Sequence, residues 1–150
     1  MSTDVAAETT IARPRDVVAA YATDWRNDTS WIGAIGEARL LTEEPFGIGS
    51  RVERVATFLG KRIEYVLEVA EYEPGARLAM QSVKAPFPIR VTYEFEDAGY
   101  GTLMRIRTQG DAGGFYRFAA PVLNRAVKRN VARDLSGLKA ILESGPSERP

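Results

Sequence analysis

The feature that most constrains the fold is a long run of alternating apolar and polar residues that ends in a turn. In "RIEYVLEVAEY" (62–72), apolar side chains occupy every second position: Ile63, Tyr65, Leu67 and Val69. Successive side chains of a β-strand point to opposite faces of its sheet, so this run predicts a strand with one buried face. It is nearly twice as long as the usual strand of about five to six residues. Pro74-Gly75 then marks a turn.

Similar segments fill the middle of the chain and predict six successive strands. Turn signals rich in glycine or proline separate them, and such short connections are typical of an antiparallel meander. A weaker alternation at 3–12 predicts one further strand at the start, which makes seven. The six segments of the meander are 36–44, 50–60, 61–73, 76–84, 88–96 and 101–109.

Helical patterns lie on either side of the meander. Between the first and second strands, Pro14 precedes a helical stripe at 15–25, "RNDTSW" breaks it, and Trp31 begins a second short apolar patch. After the meander, apolar residues recur at helical spacing from Phe115 to Glu143, and the charged residues fall mostly off that stripe. Pro121 predicts either a kink or a restart in this long helix.

These elements predict an α+β fold with one cover for the sheet. A sheet with one apolar face needs a covering layer, and the C-terminal helix is the only predicted element large enough to supply it. Long, twisted strands are expected to curl around the helix, and an imperfect fit leaves an internal cavity. We expect one domain at 1–143 and a disordered tail at 144–150.

Composition restricts the chemistry available to such a cavity. The chain has no cysteine and no histidine, which excludes disulfides, thiolate nucleophiles, imidazole metal sites and the usual general base near neutral pH. Its 20 basic and 20 acidic residues cancel, so no overall field favours nucleic acid. There is no apolar run of membrane-spanning length and no signal-peptide pattern at the N-terminus. The sequence thus predicts a cytoplasmic protein without a metal or cofactor.

Several fragments, in this order, resemble the SRPBCC superfamily, the helix-grip fold of START domains, birch-pollen-type allergens and bacterial polyketide cyclase/dehydrase proteins. They are "TIARPRDVVAAYATDWRNDTSW", "FGIGSRVERV", "VAEYEPGARLAM", "FPIRVTYEFEDAGYGTLMRI" and "DLSGLKAILE". The resemblance implies the helix-grip fold, with two short helices between strands 1 and 2. Members of the superfamily bind lipids, hormones or polyketides, and only some are enzymes, so the likeness alone leaves the activity open.

Polar side chains that point inward are the candidates for recognition or catalysis. Alternation places Tyr65 and Tyr93 on the inner face of their strands. For strand 51–59 two registers remain open: one buries Val52, Ala56 and Phe58 together with Arg54, and the other buries residues 53, 55, 57 and 59. Tyr65, Tyr93 and Arg54 are therefore the catalytic candidates. The alternative is that both tyrosines are core aromatics whose hydroxyls bond to backbone or water.

The same face assignments predict a ligand-binding set drawn from the strands, the short helices and the C-terminal helix. Pockets are typically apolar with a few convergent polar groups, and this set matches that description. It consists of Trp31, Phe58, Tyr65, Leu67, Met80, Val91, Tyr93, Ile106, Phe115, Leu123 and Val127.

Three functions are compatible with these predictions. The first is binding of a hydrophobic small molecule, polyketide-, lipid- or aromatic-like, in the cavity. The second is a polyketide cyclase, aromatase or dehydratase in which Tyr65, Tyr93 or Arg54 polarises a carbonyl or relays protons without a metal. The third is a protein-interaction module that uses the long helix and the flexible loop expected at 110–114 as its docking surface. Polar groups converging on one point of the cavity would favour the enzyme, and dispersed polarity the carrier. Ligand identity and oligomeric state are open at this stage.

Overall fold

The computed structural model describes residues 3–117 and 119–144. Seven antiparallel strands form one sheet in the order β1-β7-β6-β5-β4-β3-β2, which confirms the predicted meander and places the first strand beside the last. Its strands are β1 (Thr3–Ile11), β2 (Ile35–Leu40), β3 (Arg51–Phe58), β4 (Lys61–Glu73), β5 (Arg77–Lys84), β6 (Ile89–Ala98) and β7 (Gly101–Gly110).

The long alternating segment forms β4, the longest strand, with 13 residues. Its pairing with β5 is interrupted by register shifts at Val66/Leu67 and at Val69/Glu71. Such bulges bend a strand and increase its twist, and they account for the two apolar residues, Val66 and Ala70, that break the alternation. The strand therefore curls the sheet at its middle, and the turn after it uses Gly75 at a φ of +81°.

The helices are α1 (Arg15–Ala22), α2 (Asp28–Trp31), α3 (Gly113–Tyr116) and α4 (Ala120–Ser144), with a 3₁₀ turn at Trp25–Asn27 between the first two. The C-terminal helix therefore restarts rather than kinks. Pro121 is the second residue of α4, where its missing N–H has no intrahelical partner to lose. The curled sheet and the long α4 confirm the helix-grip prediction.

The core has two parts. The larger part packs solidly beneath α1 and includes Val18, Leu67, Leu78, Met80 and the C-terminal half of α4. A smaller cluster of Ile63, Tyr116 and Leu123 lies toward the other end of α4. Between them the helix and sheet do not close completely, and a cavity remains.

None of the helices within the described residues is both long enough and apolar enough to cross a bilayer. Ser144 still belongs to α4, whereas the rest of the expected disordered tail, 145–150, lies outside the described residues.

Candidate functional site

The cavity between the sheet and α4 has a volume of about 190 Å³. A dry apolar cavity of about 150 Å³ is enough to hold benzene, so this space can take one ring with a small substituent. Its walls are mostly apolar and come from β3, β4, β6, β7 and α4. Aliphatic side chains that line it include Ala56, Ile63, Ile89, Val91, Ile106, Leu123 and Val127.

The structure settles the register of β3. Val52, Arg54 and Ala56 are buried, and Phe58 lines the cavity. On the opposite face, Glu53 forms an ion pair with Arg39 at 2.8 Å. Of the two registers left open by the sequence, β3 therefore adopts the one that buries Arg54.

Arg54 can be buried because Asp28 meets it. The Arg54 Nε donates to Asp28 Oδ2 at 2.9 Å, and the two residues are only 4% and 2% exposed. Burial raises the pKa of the Asp28 carboxyl, and the adjacent Arg54 guanidinium opposes that rise. Arginine stays protonated in proteins, so the pair fixes a positive guanidinium beside the cavity and joins α2 to the middle of β3.

Tyr93 lies on the same side of the cavity as this pair. An Arg54 Nη donates a long, 3.5 Å hydrogen bond to the Tyr93 hydroxyl oxygen. Because that oxygen accepts from Arg54, its own proton remains available for a cavity ligand. Burial raises the pKa of Tyr93 to about 12 despite Arg54, and the phenol therefore stays protonated at neutral pH.

Tyr65 and Trp31 complete what we call the polar pole, defined as Arg54, Asp28, Tyr65, Tyr93 and Trp31. Burial also raises the pKa of Tyr65, with Arg54 acting against it. The Trp31 ring packs 5.8 Å from the Tyr93 ring, centroid to centroid. Its buried Nε1 has no hydrogen-bond acceptor among the residues that the structure describes. Since Asp28 is engaged by Arg54, this end of the cavity offers mainly hydrogen-bond donors.

A second polar feature lies on the α4 side. Asp134 and Asn130 line the cavity, and Asp134 Oδ1 accepts a hydrogen bond from the Gly33 N–H at 2.9 Å. Burial raises the pKa of Asp134 to about 6, although the bond from Gly33 works in the opposite direction. Near neutral pH this carboxyl can therefore either hold or accept a proton.

Most of the predicted ligand-binding residues line this cavity, and so does the catalytic candidate Arg54. That any of them contacts a ligand stays a prediction. The eight from the predicted set are Trp31, Phe58, Tyr65, Val91, Tyr93, Ile106, Leu123 and Val127.

Three residues of the predicted set lie elsewhere. Leu67 and Met80 do point inward, but they belong to the solid core beneath α1. Phe115 is displaced because α3 turns its ring against Phe87 and Tyr116. Phe87 and Tyr116, rather than Phe115, form the aromatic wall at that end of the cavity.

Asp28 was missed by the sequence reasoning, although a signal existed. An inward arginine on a strand requires a buried acid, because an uncompensated buried charge is very costly. The short helices between β1 and β2 supply that acid. Asp134 had no comparable signal, since its place on α4 is at the edge of the apolar stripe.

No group of three or more acidic side chains in the described part of the chain is arranged to hold a metal ion. The expectation that transition metals bind only weakly stays a prediction.

A family model described as "Polyketide cyclase / dehydrase and lipid transport" matches residues 2–143, and the chain belongs to this family. Among proteins with curated functions, no significant match is found.

Solved structures share the fold at low sequence identity. A protein from Thermus thermophilus, TTHA0849, is 22% identical with a TM-score of 0.79, over 95% of this chain and 99% of that one. The ZhuI aromatase/cyclase from Streptomyces sp. R1128 is 16% identical with a TM-score of 0.74, over 93% of each chain. A START superfamily protein from Mycobacterium smegmatis is 15% identical with a TM-score of 0.69, over 93% of this chain and 94% of that one. At these identities the likeness shows the fold alone.

Proposed function

We propose that the protein binds a small hydrophobic molecule that carries a hydrogen-bond acceptor, such as a ketone oxygen. The observation that carries this proposal is the asymmetry of the cavity. Its walls are apolar, whereas one end presents the donors of the polar pole. The family description, which covers cyclases and lipid transport proteins, supports a hydrophobic ligand.

The donors determine which ligand fits. The Trp31 N–H is buried without an acceptor among the described residues, and a buried polar group in that state costs about 1–3 kcal/mol. The Tyr93 proton is also available, since its oxygen accepts from Arg54. A ligand oxygen in the cavity would accept the Tyr93 proton, and the Trp31 N–H as well if the indole turns toward the cavity, whereas a hydrocarbon could accept neither.

An isosteric pair of ligands tests this idea. Acetophenone and α-methylstyrene have the same planar skeleton and differ only in C=O against C=CH₂, and each is a single ring with a small substituent. We expect acetophenone to bind about tenfold more tightly, as one or two net hydrogen bonds would give. The measurement is calorimetry or ligand-observed NMR, and native mass spectrometry of protein purified from its own host would show a co-purifying ligand directly. Equal affinities for the two ligands would contradict the role of the polar pole.

A second candidate is an enzyme that acts on a ketone, and the convergence of Arg54, Tyr65 and Tyr93 favours it. A protonated Tyr93 can donate to a carbonyl oxygen and stabilise the enolate that forms when a neighbouring carbon loses a proton. Asp134, with a pKa of about 6, lies in the wall of the same cavity and is suited to accept that proton. Both steps belong to cyclisation and dehydration of poly-ketones.

Proton exchange distinguishes the enzyme from the carrier. An enzyme should accelerate exchange of the acetophenone methyl protons for deuterium in D₂O, and Tyr93→Phe should slow that exchange about 100-fold. In a carrier, exchange stays at the rate in buffer, and Tyr93→Phe only weakens binding, by roughly 0.5–1.5 kcal/mol.

A further inference from the structure

A groove on the surface runs beside the cavity, between α4 and the start of the edge strand β2. It has a volume of about 340 Å³, and we call it the side groove. One wall comes from the turn before β2 and the end of β3, and the other from the middle of α4. The residues that line it are Gly33, Ala34, Thr57, Phe58, Leu59, Ala126, Arg129, Asn130, Arg133 and Asp134.

The side groove and the cavity share part of their walls. Ala34, Phe58, Asn130 and Asp134 line both. Against the sheet, α4 packs most extensively on β1, at the opposite edge. Near β3 the turn before β2 bridges the gap, through the Thr57 N–H bond to the Ala34 carbonyl and the Gly33 N–H bond to Asp134. A substituent on a cavity ligand would therefore meet the side groove at these shared residues.

Two arginines line this groove, and the Arg133 guanidinium is near enough to the Asp134 carboxyl to act against the rise in its pKa. Arg129 and Arg133 are exposed and one helical turn apart on α4, and neither forms an ion pair with another described residue. Several arginines elsewhere on the surface have carboxylate partners, for example Arg51 with Glu68 at 2.9 Å and Arg107 with Asp4 at 2.6 Å, whereas Arg105 and Arg125, like these two, form no ion pair with a described residue. Like charges at this spacing destabilise a helix slightly, so an anion placed between them would be stabilising.

The groove also contains one acid, and its charge has to be weighed. Asp134 directs Oδ1 to the Gly33 N–H, which holds that oxygen against the turn. Two guanidinium groups and one carboxylate leave the side groove with a net positive charge. Guanidinium groups bind carboxylates through paired hydrogen bonds, so a carboxylate is the anion that best suits this arrangement.

We infer that the natural ligand is a small hydrophobic carboxylic acid, with its apolar ring in the cavity and its carboxylate in the side groove between Arg129 and Arg133. This inference rests on the proposed binding function and specifies the ligand class. The carboxylate interacts with exposed arginines and the ring with the cavity walls, so the two parts of the ligand can be tested separately.

Phenylacetate and phenylacetamide are the probes, because they match in shape and differ in charge. We expect the wild-type protein to bind phenylacetate about tenfold more tightly at low salt, as two exposed ion pairs together would give. The ratio should fall toward one as salt screens the arginines. In Arg129→Gln/Arg133→Gln the ratio should be close to one even at low salt, because the affinity for phenylacetate falls by more than that for phenylacetamide.

Arg125→Gln/Lys128→Gln is the matched control. It removes the same charge from the same helix, but neither residue lines the side groove. In this control the preference for phenylacetate should persist. Thermal unfolding of both double variants verifies that they fold.

Each outcome has a definite meaning. Equal binding of the two probes by the wild type overturns the carboxylate inference and leaves the proposed function intact. An equal loss of preference in the control overturns it as well, because the effect would then be the general field of α4. If neither probe binds while acetophenone does, the carboxylate inference alone fails; if acetophenone does not bind either, the proposed function and the inference fail together.

Discussion

Filling the cavity by mutation is the most direct test that it exists. Val127 is half-buried on α4 and lines the cavity, and Val127→Phe adds four carbon atoms. Burying them gains roughly 0.8 kcal/mol each, about 3 kcal/mol in all. Ordering the ring and holding it off its preferred rotamer costs roughly 1–3 kcal/mol. We therefore expect the free energy of unfolding to equal the wild-type value or to exceed it by up to about 2 kcal/mol.

The same substitution in the solid core gives the opposite result. Val69 is 1% exposed and packs beneath α1, away from the cavity. Overpacking there should destabilise Val69→Phe by roughly 1–3 kcal/mol, which lowers Tm by roughly 2–4 °C for each kcal/mol in a chain of this size.

Urea denaturation and acetophenone titration provide the assay. In Val127→Phe the ring occupies the ligand's space, so the affinity for acetophenone should fall at least tenfold while stability holds. If Val127→Phe instead loses as much stability as Val69→Phe, the space beside Val127 is already packed, and the binding proposal loses its foundation.

Three further predictions concern the buried pair, Asp134 and the long helix. Asp28→Leu or Arg54→Leu alone should destabilise the protein by about 3–5 kcal/mol, because each leaves a buried charge without its partner. The double variant should lose much less than the sum of the two single losses. Urea denaturation of the three variants measures this, and additive losses would refute the coupling. The pKa of Asp134 rises from an ordinary value near 3.8 to about 6 on folding. Below about pH 4 the carboxyl is protonated in both the folded and the unfolded chain, so no charge is buried. As the pH rises from 4 through 6 the unfolded chain loses this proton first, and the free energy of unfolding falls. Asp134→Asn should therefore gain stability over the wild type between pH 4 and 7, and a constant difference across that range would contradict the assignment. A chain truncated at Gly113 lacks the cover of the sheet and should show no cooperative thermal transition; a sharp transition near the full-length Tm would be incompatible with the role given to α4.

The meander and the inner faces of most strands were predictable because turn signals and alternation depend only on local sequence, whereas the place of β1 beside β7 was not. The register of β3 was not, since its two faces are almost equally apolar and the deciding residue, Asp28, lies 26 positions from Arg54. A local pattern cannot show a partner at that distance.

The extent of the cavity was also beyond the pattern. The alternation of apolar and polar residues shows that Leu67 and Met80 point inward, but it does not show how far along α4 the sheet stays in contact with the helix. That distance depends on the curl of the sheet, on the bulges in β4 and on the restart of the long helix at Ala120. Pro121 indicated a disturbance at that point without distinguishing a kink from a restart.

The pairing of β1 with β7 has a consequence for synthesis on the ribosome. Ile11 pairs with Thr102, so the first strand waits for a partner that emerges about ninety residues later, roughly 5–20 seconds at ordinary translation rates. During that interval it is an unpaired strand edge, the kind of surface that recruits other chains. The weak alternation of β1, with its threonines, Asp4 and Glu8, carries few of the apolar side chains that promote such capture. The low apolar content that makes β1 hard to recognise in the sequence therefore also reduces its tendency to pair with other chains before β7 has been synthesised.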